Sequence, residues 1–367
     1  MMKRNNAAGF RMANALLLTI VLPAALLSGC GNSGKREARE DDNSNVLYVY
    51  NWGEYIDPDV IGEFEEETGY KVVYDVFETN EVMYPKIAAD PSQYDVICPS
   101  DYMIERMAQS DLLSELDFDA MPNASANIGK DYWEMSRAFD PENKYSVPYT
   151  WGTVGILYNT TMVDGEIDSW DVLWDPAYND NILMQDSVRD LFMVAEKKLG
   201  YSLNTTDKKE LEEARDLLIQ EKPLVQAYVV DEVRDKMISG EAAIGVIYSG
   251  EAEYTREENE DLAYCVPKEG TNVWIDSWVI TKQSRHKKAA AAWIDYMCRG
   301  DVALKNFEYI YYSTPNTAAM ELMDEETLSN EVLFPDVSKL QGLEAYKYLG
   351  TDADRLYYNL WKEIKSS

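Results

Sequence analysis

Residues 46–77 read VLYVYNWGEYIDPDVIGEFEEETGYKVVYDVF, and their pattern decides the fold. Val46–Tyr50 is a short apolar run rich in β-branched and aromatic residues, the composition of a buried strand. Asp57–Thr68 follows as a helix, with Pro58 in the first turn, where a missing N–H costs nothing, and Gly69 as its stop. Lys71–Phe77 is a second strand. Residues 78–100, ETNEVMYPKIAADPSQYDVICPS, repeat the cycle: a helix over Asn80–Ala89, then a third strand over Asp95–Pro99 running into a helix from Asp101. This alternation implies an α/β protein with a parallel, doubly wound sheet. Ligands of such sheets sit outside the carboxyl ends of the strands, where strand order reverses. Tyr50-Asn51-Trp52 and Cys98-Pro99-Ser100 are strand ends of that kind.

A second α/β region is expected to start near Trp151. It holds strands over Thr153–Tyr158, Asn181–Met184, Ala242–Tyr248 and Trp274–Ile280, and helices over Arg189–Leu199, Lys208–Glu221, Asp231–Ile238 and His286–Cys298. Asp352–Ile364 is amphipathic and reads as a closing helix. The 367 residues suffice for two medium domains. With no internal repeat and no linker between the halves, two lobes joined by crossing strands fit better than beads on a string.

The chain carries 34 Lys and Arg against 66 Asp and Glu, a formal charge of −32. That balance argues against nucleic acid, since little here neutralises phosphates, and favours cationic ligands, whose encounter rate a negative field raises. Most of these carboxylates are a solvated surface. The first residues have another purpose. Lys3, Arg4 and Arg11 precede a mostly apolar run, Met12–Leu27, that is short for a membrane span and ends in Leu27-Ser28-Gly29-Cys30. Residues 1–29 read as a lipoprotein signal peptide and Cys30 as the lipidated residue; their removal leaves a charge of about −35. Residues 30–45 then form the anchor and a polar tether reaching on the order of 50 Å when extended. Cys98, Cys265 and Cys298 are widely spaced, which predicts buried thiols rather than a disulfide framework or a metal cluster.

The chemistry of catalysis is sparse. The single histidine, His286, lies in the basic stretch Ser-Arg-His-Lys-Lys, and there is no P-loop, GxGxxG or HExxH. No cofactor is implied. Carboxylate pairs suited to a secreted hydrolase remain arithmetically available in any acidic protein. More informative are aromatics beside carboxylates at strand ends: Tyr50-Asn51-Trp52-Gly53-Glu54-Tyr55, Trp274-Ile275-Asp276-Ser277-Trp278, and Tyr309, Tyr311 and Tyr312 before Ser313-Thr314-Pro315-Asn316. A linear polyamine wants this mixture. Its methylenes pack on flat apolar walls, while its ammonium groups take ring faces and charge-assisted bonds from carboxylates.

These segments, with Phe77-Glu78-Thr79-Asn80-Glu81, Tyr94–Ser100, Tyr149-Thr150-Trp151-Gly152, Asp168-Ser169-Trp170 and Val266–Gly270, resemble the spermidine/putrescine-binding receptors of bacterial polyamine ABC importers. The resemblance covers most of residues 46–366. It implies a two-lobed periplasmic-binding-protein-like fold (type II) with the ligand in the cleft, a mixed sheet and flanking helices in each lobe. The N-terminal lobe would comprise 46–150 plus 276–320, and the C-terminal lobe 151–275 plus 321–367. It further implies an aromatic box of Trp52, Tyr55, Tyr102, Tyr248, Trp274 and Tyr312, amine partners Glu54, Asp190 and Asp276, and a polar contact from Ser100. The expected molecule is a non-catalytic, lipid-anchored, extracytoplasmic monomer whose partners are spermidine or putrescine and the subunits of an ABC permease. A receptor for another small solute is the alternative within the same fold. Four positions depart from the family pattern: Tyr248 replaces a Trp, Ser187 an acid, Asp190 a Glu one carbon longer, and Tyr346 an amide. Asp186 is the candidate to supply the acid missing at Ser187.

Overall fold

A computed structural model describes residues 45–337 and 339–367; Cys30, the signal peptide and nearly all of the tether lie outside them. Nine strands form among the described residues: β1 (Val46–Trp52), β2 (Lys71–Phe77), β3 (Val96–Ile97), β4 (Ser146–Asn159), β5 (Ile182–Gln185), β6 (Val225–Val229), β7 (Ile244–Tyr248), β8 (Leu262–Cys265) and β9 (Val273–Ile280). Their lateral order is β2-β1-β3-β9-β4-β7-β5-β6, with β8 also pairing β4. β1, β2 and β3 run parallel, as do β5, β6 and β7. β9 and β4 join the two parallel groups antiparallel. The expected parallel motifs are therefore present, but each belongs to a mixed sheet.

Local chemistry explains the elements. At the helix Pro58–Thr68, the Asp57 carboxylate accepts from the Asp59 N–H at 2.9 Å. Gly69 ends it at φ 76°, a left-handed turn that costs glycine little. Period-2 alternation then splits each strand between two cores. Leu47 and Val49 of β1 pack with Trp278 and Trp293 on one face, and Tyr50 packs with Ile97, Met103 and Val279 on the other. In the second half, Val154, Ile156 and Ile182 meet Phe192 and Leu211, while Leu157, Leu183 and Ile247 meet Met237. The closing helix, Thr351–Ser366, packs on this second half, where Tyr357 donates to Glu196 at 2.7 Å.

The strand expected over Thr153–Tyr158 is longer than its pattern suggests. β4 is one strand of 14 residues, buried throughout, that crosses from one half to the other. Ser146–Thr153 pair with β9, whereas Val154–Asn159 pair with β7 and β8. The chain needs no break because strand pairing changes hands between Thr153 and Val154, where the Thr153 N–H donates to the Ser249 hydroxyl and the Val154 carbonyl accepts from Thr271. Pattern alone also overextended β3, which keeps only two residues of the five expected.

Gly155 marks the tightest point of this crossing. A Cβ there would lie 2.4 Å from the Cys265 carbonyl oxygen, a backbone atom with little room to yield. Gly155→Ala is expected to cost about 1–3 kcal/mol, read as a lower urea midpoint with an unchanged slope; an unchanged midpoint contradicts the close packing of β4 on β8.

Candidate functional site

The carboxyl ends of the parallel strands converge on the crossing strand β9. β1 delivers Trp52 and, after Gly53, Glu54 and Tyr55. β3 leads through Ser100, which bridges to Asp276, into the helix Asp101–Gln109 carrying Tyr102. β5 leads to Asp190 in the first turn of the helix Val188–Leu199, and β7 ends at Tyr248. β9 itself bears Trp274 and Asp276. Tyr312 follows the helix Gly300–Ile310, which Tyr311 ends in the left-handed region.

Five of the six expected aromatic residues form one continuous edge-to-face series. Ring centroids are 6.4 Å apart for Trp52–Tyr55, 5.3 Å for Tyr55–Tyr312, 5.3 Å for Tyr312–Trp274 and 6.0 Å for Trp274–Tyr248. Each such pair contributes about 0.5–1.5 kcal/mol beyond burial, so the series is a stable wall. Tyr102 stands apart from it, 6.0 Å edge-on to Tyr346.

Two carboxylates sit at separate points of this wall. Asp276 is 5% exposed; the Tyr55 hydroxyl donates to its Oδ2 at 2.9 Å and also bonds Thr150. Its Oδ1 is buried without a hydrogen bond among the described residues. Burial raises this carboxyl to about 7, and the Ser100 and Tyr55 hydroxyls offset only part of the rise. Asp190 is equally buried but fully engaged, accepting from the Tyr248 hydroxyl at 2.7 Å and the Tyr346 hydroxyl at 2.9 Å.

The four positions expected to depart from the family pattern come together around Asp190. The shorter acid at Asp190 is met by phenols at Tyr248 and Tyr346. Ser187 has become the cap of the Asp190 helix, its hydroxyl accepting from the Asp190 N–H at 3.5 Å. Asp186 does not fill the vacated role in this structure: it pairs with Lys365 of the closing helix at 2.8 Å. Glu54 also lies apart from the wall's interior, its exposed carboxylate paired with Arg234.

Residue patterns alone missed several neighbours. Tyr102 donates to Glu81 at 2.8 Å, and Asn80 donates to Ser100 and Tyr102 at 3.1 and 3.2 Å. The available signal was their place in the first turn of the helix Asn80–Ala89, just after Thr79. Burial of the carboxyl group raises the Glu81 pKa, although the residue as a whole is exposed. Asp101 is buried beside Asp276, and its carboxyl is pushed up, first by burial. The Arg189 guanidinium lies 4.5 Å from the Tyr346 ring centre. His286 is bound up elsewhere, 2.9 Å from Asp95, which also accepts from the Ser284 hydroxyl. Among the described residues no group of three His, Cys, Asp or Glu side chains is placed to hold a metal ion. The arrangement is suited to holding an organic cation between rings and carboxylates.

Residues 59–335 match the family of bacterial extracellular solute-binding proteins. The chain is 36% identical over 343 residues, 93% of its length and 97% of the other's, to the spermidine/putrescine-binding periplasmic protein of Escherichia coli. Among solved structures, the spermidine/putrescine ABC transporter substrate-binding protein PotD of Streptococcus pneumoniae is 42% identical with a TM-score of 0.76, covering 88% of this chain and 99% of that one. The TpPotD lipoprotein of Treponema pallidum is 25% identical with a TM-score of 0.77, covering 87% and 99%.

A carboxyl raised to about 7 in the fold binds more protons than the unfolded chain at pH 4–7. Its favourable contribution is complete below about pH 4 and is lost as pH rises through 7. Asp276→Asn is therefore expected to stabilise the ligand-free protein at pH 8, by on the order of 2–4 kcal/mol, with the gain vanishing near pH 4. Equal shifts in unfolding midpoint at both pH values would contradict this assignment.

Proposed function

The chain belongs to the bacterial extracellular solute-binding proteins, and we propose that it captures a linear polyamine, spermidine or putrescine, for delivery to an ABC permease. The observation that carries the reading is Asp276: a buried carboxylate with one orphaned oxygen, beside an unbroken series of aromatic rings. An uncompensated buried carboxylate is costly, and an ammonium group relieves the cost by supplying both the charge and the donor. Ring faces of Trp274 and Tyr312 suit the same cation and the methylenes attached to it. The names of the relatives support the choice of polyamine over other solutes. Catalysis is no part of this reading, since the relatives are solute-binding transport proteins.

Two halves meeting at β4 and β9 support a hinge at the Thr153 hand-over, with lobes close to 46–150 plus 276–320 and 151–275 plus 321–367. A lobe that moves relative to its partner explains why the site draws residues from both. Leu27-Ser28-Gly29-Cys30 supports lipid attachment at Cys30, as does the Treponema relative named a lipoprotein. Stable anchoring needs more than one acyl chain, and a diacylated cysteine meets that need.

Titration with putrescine and spermidine checks the ligand. At ~100 times the dissociation constant, bound ligand stabilises by about 2.7 kcal/mol, visible as a large rise in Tm; no shift with either amine contradicts the proposal. Binding an ammonium requires ionised Asp276, so affinity should fall as pH drops below about 7. Net proton release is expected at pH 6, measured calorimetrically in two buffers of different ionisation heat, and it should be absent from Asp276→Asn.

Anchoring is tested separately. Cys30→Ser, expressed in a bacterial host, should move the protein from the membrane fraction to the soluble fraction without altering polyamine affinity. Retention at the membrane would count against the lipid anchor.

A further inference from the structure

Among the three expected amine partners, Glu54 is the one that the structure pairs with a cation of the chain itself. It follows the end of β1 in the left-handed region, φ 49°, an uncommon conformation for a residue with a side chain. Its carboxylate accepts from the guanidinium of Arg234, on the helix Glu232–Ile238 that follows β6. The donor and acceptor are 180 residues apart in sequence and come from opposite sides of the β9–β4 crossing. The pair is not a lone surface contact on both sides: Arg234 is 25% exposed, against 67% for Glu54.

The surroundings of Arg234 are those of an ammonium site. Its guanidinium carbon lies 5.3 Å from the Tyr254 ring centre. Glu251 is buried nearby; burial chiefly raises its carboxyl to about 8, and the Arg234 charge offsets only part of the rise. A Cβ on Gly250 would lie 2.5 Å from the Tyr312 ring, so the backbone just before Glu251 is packed against the aromatic wall. Rings and carboxylates around a cation are the recognition chemistry of the main site, with an arginine side chain in the ligand's role.

We propose that Arg234 is a resident cation that occupies the amine position at Glu54 and thereby sets ligand length, leaving Asp276 and Asp190 as the acids available to a bound polyamine. The proposal rests on the polyamine reading above. Two available acids match a diamine. A third ammonium would have to displace a guanidinium already paired, or go without a carboxylate partner. Removing the guanidinium frees Glu54, where a third amine then finds a carboxylate.

Calorimetric titration of wild type, Arg234→Ala and Arg234→Lys with putrescine and spermidine at ~150 mM salt tests this, a concentration that screens long-range charge. Arg234→Ala should raise the spermidine-to-putrescine affinity ratio at least about tenfold, with Arg234→Lys staying near the wild-type ratio. Glu54→Gln added to Arg234→Ala should remove most of the gain. Lys236→Ala, which deletes the same charge from the same helix, controls for net charge and should leave the ratio unchanged. A ratio within about threefold of wild type in Arg234→Ala overturns the proposal, as does an equal response to Lys236→Ala; either result makes the pair a surface bridge. If Arg234→Ala fails to fold, Arg234→Gln is read by the same criteria. Wild type binding neither amine would instead overturn the polyamine reading, and this inference with it.

Discussion

Everything in the cleft is arranged around one costly object, the Asp276 carboxylate in the middle of β9. On that strand Trp274, Asp276, Trp278 and Ile280 share a face by period-2 alternation, and Trp274, Trp278 and Ile280 are core residues. Asp276 therefore occupies a position that packing alone would give to an apolar side chain. Tyr55 supplies one hydrogen bond, Oδ1 receives none, and the carboxyl is left near 7. A fold tolerates such a group when the benefit comes in another state, and in the proposed function that state has a cation bound.

The other end of the ring series follows a different rule. Asp190 has two phenolic donors and a capped helix beneath it, so its carboxylate is held rather than left wanting. The Tyr248 and Tyr346 hydroxyls bind opposite oxygens of that one acid, which fixes its orientation. A side chain one carbon shorter than the family pattern is thus compensated by donors that reach toward it. The two acids divide the work: one is poised to gain from pairing, and the other is pre-set in geometry. Preorganisation of this kind lowers the ordering cost of binding.

Between them, β4 and β9 carry the mechanical load. Both are buried along nearly their whole length, and together they connect the parallel strand groups. A ligand touching residues from both groups has leverage on the angle between them. The net charge of −32 acts at longer range, concentrating cations near the cleft before any contact forms.

Much of this was legible in the residues. Periodicity and caps placed Lys71–Phe77, Asn80–Ala89 and Lys208–Glu221 at their observed bounds, because strand and helix periods and terminal Pro, Asp and Gly act locally. Family-like motifs gathered Trp52, Tyr55, Tyr102, Tyr248, Trp274 and Tyr312 into one expected box, and ring contacts link all of them but Tyr102 into one series. The rest depended on contacts between residues far apart in the chain. No local pattern reveals that β4 runs unbroken past Trp151, since its pairing changes partner rather than its composition. Nor does one reveal that Tyr346 meets Asp190 across 156 positions, or that Arg234 answers Glu54 across 180. The chain by itself determined the supply of rings and acids at strand ends; only the tertiary structure decided which acid is orphaned, which is braced and which is already paired, because those are questions of distance through space.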